Sequence, residues 1–324
     1  MSDGTRTTLS RTWPVLLGFA LVVACSSTRP EVEPRPLVIA AGAESGVYYL
    51  LGRALTEVFN EAMPEVRASV LETTGSGYNL RVVEDGAAAL AFTQADVGFF
   101  AVHEGTAGDS RPYTHLRAMA VLYVNAVQLV TARDSGIHRL EDLQGRRVGV
   151  GPPVSGTQVA AKLVLEAQNL HGRIAAEPLT FDDVADGLSR HEVDAGFLVS
   201  SYPVPVISRL NAARGVRLVP IERALADRIR TDYPFFHPIL IPAGTYEGQS
   251  APVETIGVDN LLVCRSDLPD DLVYRLTRVF IESLSRLSRV HAAAASVDPE
   301  QAPTAPIALH PGAARFYRER ELFR

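Results

Sequence analysis

The first hundred residues repeat one pattern. Residues 37–42 are an apolar run ending in glycine and residues 43–49 are a Gly/Ser/Tyr turn. Leu50, Leu51, Ala54, Leu55, Val58 and Phe59 then recur at helical spacing. Residues 66–71 read as a second strand and 72–79 as its turn, with Leu80, Val82 and Val83 in a short helix before Gly86. Residues 89–93 predict a third strand, closing at Gln94, Ala95 and Asp96 before a helix over 97–103. Successive strand–turn–helix units argue for a parallel sheet with helices on its faces. Ligands in such sheets sit at the carboxyl ends of the strands, where these turns fall.

After a polar loop at 105–112, residues 116–131 are apolar almost throughout, which is long for one strand. A chain passing from one lobe to another on a hinge strand produces such a run. A second series follows. Residues 147–150 predict a strand and 151–157 a Pro/Gly turn, with a helix capped by Ser155 or Thr157 and running to 169. Strands over 176–181, 193–199 and 216–221 alternate with helices over 182–190 and 206–213, and 200–205 is another strand-end turn. Residues 233–249, punctuated by proline, read as a loop over the lobe face, and 255–264 as a strand crossing back. Pro269, Asp270 and Asp271 open an amphipathic helix to 284, and the remaining chain is expected to close on the first lobe. The expectation is an α/β, bilobal periplasmic-binding-protein-like (type II) fold, with two βα lobes joined by crossing hinge strands. Residues 37–125 plus 255–324 form lobe 1 and residues 126–254 lobe 2.

Composition narrows the function. Apolar residues make up 47% and charged residues 21%, which suits a soluble globular body. A net charge of −6 and the lack of any basic run argue against nucleic acid as a partner. At the N-terminus, Arg6 and Arg11 precede an apolar run over 13–24 that is too short to span a bilayer, so residues 1–24 read as a signal peptide. The run 21–25, Leu-Val-Val-Ala-Cys, resembles a bacterial lipobox. That resemblance implies cleavage before Cys25, lipid on its sulfur, and a protein anchored outside the cytoplasm. Residues 25–36 would form the lipidated start and a flexible Ser/Pro/Glu tether, holding the body on the order of 20 Å from the membrane. With Cys25 lipidated, Cys264 has no disulfide partner and reads as a small core residue.

Three of the predicted turns carry similar chemistry. Ser45 and Gly46, then Thr74, Gly75 and Ser76, then Ser155, Gly156 and Thr157 each place hydroxyls and free N–H groups at a helix start. Such ends attract anions, although Ser, Thr and Gly are also ordinary helix caps. Tyr48 is placed to wall a pocket, and Asn79 and Gln94 to contact a polar ligand. Arg81 suits either a carboxylate clamp or a surface ion pair, and Asp96 suits a helix cap.

The motifs occur in a specific order: Gly-Val-Tyr-Tyr at 46–49, Thr-Gly-Ser at 74–76 with Asn79, and Gln-Ala-Asp-Val at 94–97. Val-Gly-Val-Gly-Pro-Pro-x-Ser-Gly-Thr at 148–157, Tyr-Pro-Phe-Phe at 233–236, Ile-Pro-Ala-Gly-Thr-Tyr-x-Gly-Gln at 241–249 and Leu-His-Pro-Gly-Ala at 309–313 follow. Together they resemble the TAXI family, the solute-binding receptors of TRAP transporters. That resemblance implies a receptor without cofactor that captures a small anionic solute, an amino acid such as glutamate or glutamine or a dicarboxylate. It also implies that the solute is passed to TRAP permease subunits. Glu44, Gly77 with Tyr78, and residues 202–205 depart from the family pattern around the presumed cleft and bear on ligand identity.

Other classes fit less well. Gly151-x-x-x-x-Gly156-Thr157 has the outline of a P-loop but lacks its lysine, and no nucleophile elbow or paired-histidine metal motif occurs. The chain is not expected to be an enzyme. The remaining alternative is a lipid-anchored sensing or interaction lipoprotein that works without a permease.

Overall fold

Three βα units open the sheet. Strands β1 (Arg35–Ala40), β2 (Val66–Leu71) and β3 (Leu90–Gln94) alternate with helices α1 (Val47–Ala62), α2 (Ser76–Glu84) and α3 (Ala95–His103). β1 lies between β2 and β3, parallel to both. These assignments come from a computed structural model that describes residues 1–4, 34–44 and 46–321; the folded body starts at Pro34. Cys25, Ser45 and most of the expected signal peptide and tether therefore lie outside the described residues.

The long apolar run is one strand, β4 (Leu116–Ala132), 17 residues and nearly all buried. It is followed by β5 (Arg147–Gly149), α4 (Gly156–Ala167), β6 (Ala175–Glu177), α5 (Phe181–Ser189), β7 (Ala195–Ser200) and α6 (Pro205–Arg214). Next come β8 (Val216–Val219), α7 (Arg223–Asp232), β9 (Phe236–Ile241) and β10 (Val253–Arg265). Helices α8 (Asp270–Glu282), α9 (Leu284–Val290) and α10 (Pro311–Glu319) end the chain. The sheet runs β2-β1-β3-β10-β4-β7-β5-β6, with β8 against β4 and β9 against β10.

Two strands tie the sheet together. Within β10, residues 260–264 pair with β3 and residues 253–258 with β9. Within β4, Leu116–Ala126 faces β10, while Ala126–Ala132 pairs with β7 and β8. Both strands change partners near Asn125 and Asn260, where the β4–β10 register also shifts. Beyond that point β5 is parallel to β6 and β7, so each half of the sheet has its own parallel set.

The C-terminal helices pack on the first half, as the chain order predicts. Leu51, Leu55 and Phe59 of α1 share a buried cluster with Leu276 and Phe280 of α8 and with Phe316 and Tyr317 of α10. The Tyr317 hydroxyl donates to the Met119 carbonyl at 2.8 Å, pinning α10 to β4. Burying an aromatic or aliphatic side chain contributes roughly 1.5–3 kcal/mol. This cluster is what holds the returning chain in place.

Two expectations need correction. Residues 236–241, read as part of a loop, form β9, antiparallel to β10. Pro238 is tolerated because β9 is an edge strand, where a missing N–H costs no ladder bond. The strand read at 176–181 ends at Glu177. Thr180 caps α5 instead, its hydroxyl accepting from Asp183 N–H while the Asp183 carboxylate accepts from Thr180 N–H.

Candidate functional site

A cavity of about 600 Å³ opens where the two halves meet, at the carboxyl ends of their parallel strands. The first half lines it with Gly46, Val47 and Tyr48 at the start of α1, the stretch 72–76 with Tyr78 at the start of α2, and Gln94 at the end of β3. The second half contributes Pro152, Ser155, Gly156 and Thr157 at the start of α4, Thr180, Phe181 and Asp182 at the start of α5, and Val199 and Ser200 of β7. Tyr123 and Asn125 of the crossing strand β4 complete the lining.

Four helices thus begin at this cavity. The first N–H groups of a helix have no partner within it, and its N-terminus carries about half a positive charge. Among the described residues, two of the starts have no side-chain cap, α1 at Gly46 and α2 at Gly75. Gly75 sits at φ 111°, a region that favours glycine. The other two are capped: Ser155 Oγ accepts from Gln158 N–H at 3.2 Å, and Thr180 forms the box described for α5. The capping role of Ser155 is therefore real, and its residue still lines the cavity.

The two halves touch across the opening. Gly77 N–H donates to the Val154 carbonyl at 3.0 Å, and a Cβ on Gly77 would stand 2.2 Å from that oxygen. Val154 holds φ 57°, costly for a β-branched residue, and its own N–H donates to Gln158 Oε1 at 2.9 Å. A Cβ on Gly156 would meet the Gln94 side chain at 2.4 Å. These two glycines permit the close approach of α2 to the turn before α4 and of Gln94 to α4. The halves are closed on one another.

Of the residues expected to bind, Gly46, Tyr48, Thr74, Gly75, Ser76, Gln94, Ser155, Gly156 and Thr157 line this one cavity. Asn79 does not. It is fully buried, its Nδ2 donating to the Ala41 and Phe92 carbonyls and its Oδ1 accepting from Thr73 Oγ1, so it knots three strand ends together. Thr157 is nearly buried, and its hydroxyl accepts from Val199 N–H at 3.4 Å. Arg81 is half-buried beside Gly108, and is not part of the lining. The Asp109 carboxyl is held low first by hydrogen bonds from Arg111, with the Arg81 charge adding to them.

Behind the lining runs a buried polar network. The Tyr48 hydroxyl donates to Asn260 Oδ1, which also accepts from Asn125 Nδ2 at 3.0 Å, while Asn260 Nδ2 donates to the Tyr123 carbonyl at 2.7 Å. Burial pushes the Tyr48 hydroxyl far up, so it stays a donor. Among the described residues, Gln94 Oε1, Tyr123 OH and Asn125 Oδ1 have no hydrogen-bond partner, and their residues are 3%, 2% and 4% exposed. An unpartnered buried polar group costs about 1–3 kcal/mol unless something supplies its bond. Asp96, at the start of α3, is fully buried with Oδ1 accepting from Val97 N–H and Oδ2 unpartnered; burial pushes its pKa up to about 7.

The sequence reading missed Glu72, Tyr123, Asn125, Thr180, Asp182 and Ser200. Tyr123 and Asn125 break the apolar run of β4 at alternate positions, and that was the available signal. The charge balance was also missed. Glu72 and Asp182 line the cavity, and no Lys, Arg or His does among the described residues. Cys264 is fully buried in β10 with its thiol pushed up by burial, which suits a core residue.

Comparison with known proteins agrees with this architecture. The fold is similar to that of the alkanesulfonate-binding protein SsuA from Xanthomonas axonopodis pv. citri, solved bound to MOPS, at 16% identity. The match covers 90% of this chain and 96% of that one with a TM-score of 0.50. It is likewise similar to a protein of Bordetella bronchiseptica RB50, at 16% identity, 89% of each chain and a TM-score of 0.51. The fold is therefore that of the periplasmic binding proteins. No helix among the described residues is long and apolar enough to cross a membrane. A family model matches residues 39–320, and the chain belongs to the NMT1-like family.

Proposed function

We propose that this protein is an extracytoplasmic solute receptor of a transport system, of the TRAP (TAXI) type that its ordered motifs resemble. A small solute with an acidic group is captured between residues 37–125 plus 255–324 on one side and 126–254 on the other, and is handed to a membrane permease. Lipid on Cys25 anchors the receptor. The observation that carries the reading is the convergence of four helix starts and three unpartnered buried polar groups on one cavity of about 600 Å³. That volume suits a small molecule. The reading makes closure a hinge motion at the partner change of β4 and β10, with the Gly77–Val154 bond marking the closed state.

A thermal-shift panel of amino acids and dicarboxylates tests this, because a ligand that binds only the folded state stabilises it by RT ln(1 + [L]/Kd). At least one probe should raise Tm. Ser155→Ala combined with Thr157→Val should abolish that rise while the ligand-free protein still unfolds cooperatively. An unchanged rise would reduce the 149–157 turn to a helix cap.

A further inference from the structure

We propose that the cavity selects solutes bearing an ammonium or guanidinium group and rejects dianions, a proposal that rests on the receptor reading. The two halves each bring a carboxylate to the lining, Glu72 beside the start of α2 and Asp182 in the first turn of α5. Glu72 Oε1 accepts from Glu44 N–H at 3.3 Å, so a second acidic residue stands beside it. Asp182 pairs with Arg209 at 3.1 Å, which offsets part of its charge. No Lys, Arg or His is itself among the described lining residues.

Acidic side chains alone would define no site, but two buried amide oxygens in the same lining ask for the same chemistry. Gln94 Oε1 and Asn125 Oδ1 are acceptors without a donor among the described residues, and Tyr123 OH, also without a partner there, can accept or donate. All three residues are more than nine-tenths buried. An ammonium carries three donors and no acceptor, so it can satisfy amide oxygens and face a carboxylate at once. A carboxylate offers only lone pairs and would meet the two amide oxygens with like partial charge. One carboxylate of a zwitterion still finds the helix starts, each worth about half a positive charge. A second carboxylate meets the acidic Glu72 and the Asp182 carboxylate, whose charge Arg209 offsets only in part. The helix starts attract and the side chains discriminate.

The test is the wild-type protein against the common amino acids, putrescine, succinate and 2-oxoglutarate, by thermal shift and then calorimetry at low salt. The tightest ligand should be amine-bearing, with a Kd at least tenfold below that of either dianion. Glu72→Gln combined with Asp182→Asn should weaken that ligand at least tenfold and narrow the gap to the dianions. A dianion that binds more tightly than every amine-bearing probe overturns the charge selection and leaves the receptor reading standing. An amine-bearing ligand indifferent to the double substitution also overturns it. Silence across the whole panel sinks the receptor reading, and this proposal with it.

Discussion

Two buried asparagines sit within reach of the cavity and do opposite things. Asn79 spends both ends of its amide inside the first half, on Ala41, Phe92 and Thr73, and is not itself a lining residue. Asn125 lies on β4 at the partner change, gives its Nδ2 to Asn260, and leaves Oδ1 unpartnered in the lining. Both are polar groups in apolar surroundings, so burial does not separate them. Satisfaction does. A fully bonded amide fixes the fold, whereas one with an open acceptor holds a place for something else.

Asp96 is the hardest case for that contrast, because it is buried and half unpartnered yet outside the lining. If no ligand answers it, its cost must appear as a pH dependence of stability. Its folded pKa, about 7, lies above the ordinary aspartate value of 3.8. The folded state therefore binds the extra proton in between, and stability is full below pH 3.8 and lost as pH rises through 7. Asp96→Asn should remove this loss, a gain on the order of 3–4 kcal/mol at pH 8, seen as a flattened curve of chemical-denaturation midpoint against pH. Parallel curves for the two proteins would place the Asp96 proton elsewhere.

The next effect belongs to Asn79. Asn79→Leu strands two carbonyls and the Thr73 hydroxyl, which should cost about 3 kcal/mol of unfolding free energy from a position outside the lining itself. Urea denaturation measures it; a loss below about 1 kcal/mol would break the contrast. Asn125→Ala should show the reverse profile. Asn260 Oδ1 keeps its bond from Tyr48, so stability should fall by only about 1 kcal/mol. Binding of whichever probe raises Tm should weaken at least tenfold, about 1.4 kcal/mol. A large stability loss with intact binding would make Asn125 a second Asn79.

Much of the fold was legible because its signals are local. The turns at 72–79 and 151–157 sit between an apolar run and a helical period, and the structure places strand ends and helix starts there. The unusual length of 116–131 announced β4, since no single half of such a sheet uses a strand of 17 residues. β9 was illegible because Pro238 reads as a breaker until its edge position is known. α7 gave little signal because five of its ten residues are charged, leaving only Leu225, Ala226 and Ile229 to bury. The lining was half legible. Its Gly, Ser and Thr turns announce themselves, but Tyr123 and Asn125 belong to a strand and Glu72 looks like any surface acid.

The sequence by itself determined the βα repeats, the crossing run, the helix caps and which turns lie at strand ends, because each depends on residues within a few positions of one another. Only the tertiary structure decided that Gln94 rests on Gly156, that Asn79 turns inward while Asn125 lines the cavity, and that Glu72 and Asp182 lie in one lining with no Lys, Arg or His among its described residues. Those facts depend on where two halves of the chain meet and on which hydrogen bonds are left over when they do. Neither is written in local spacing, since a donor and its acceptor here are separated by as many as 212 residues.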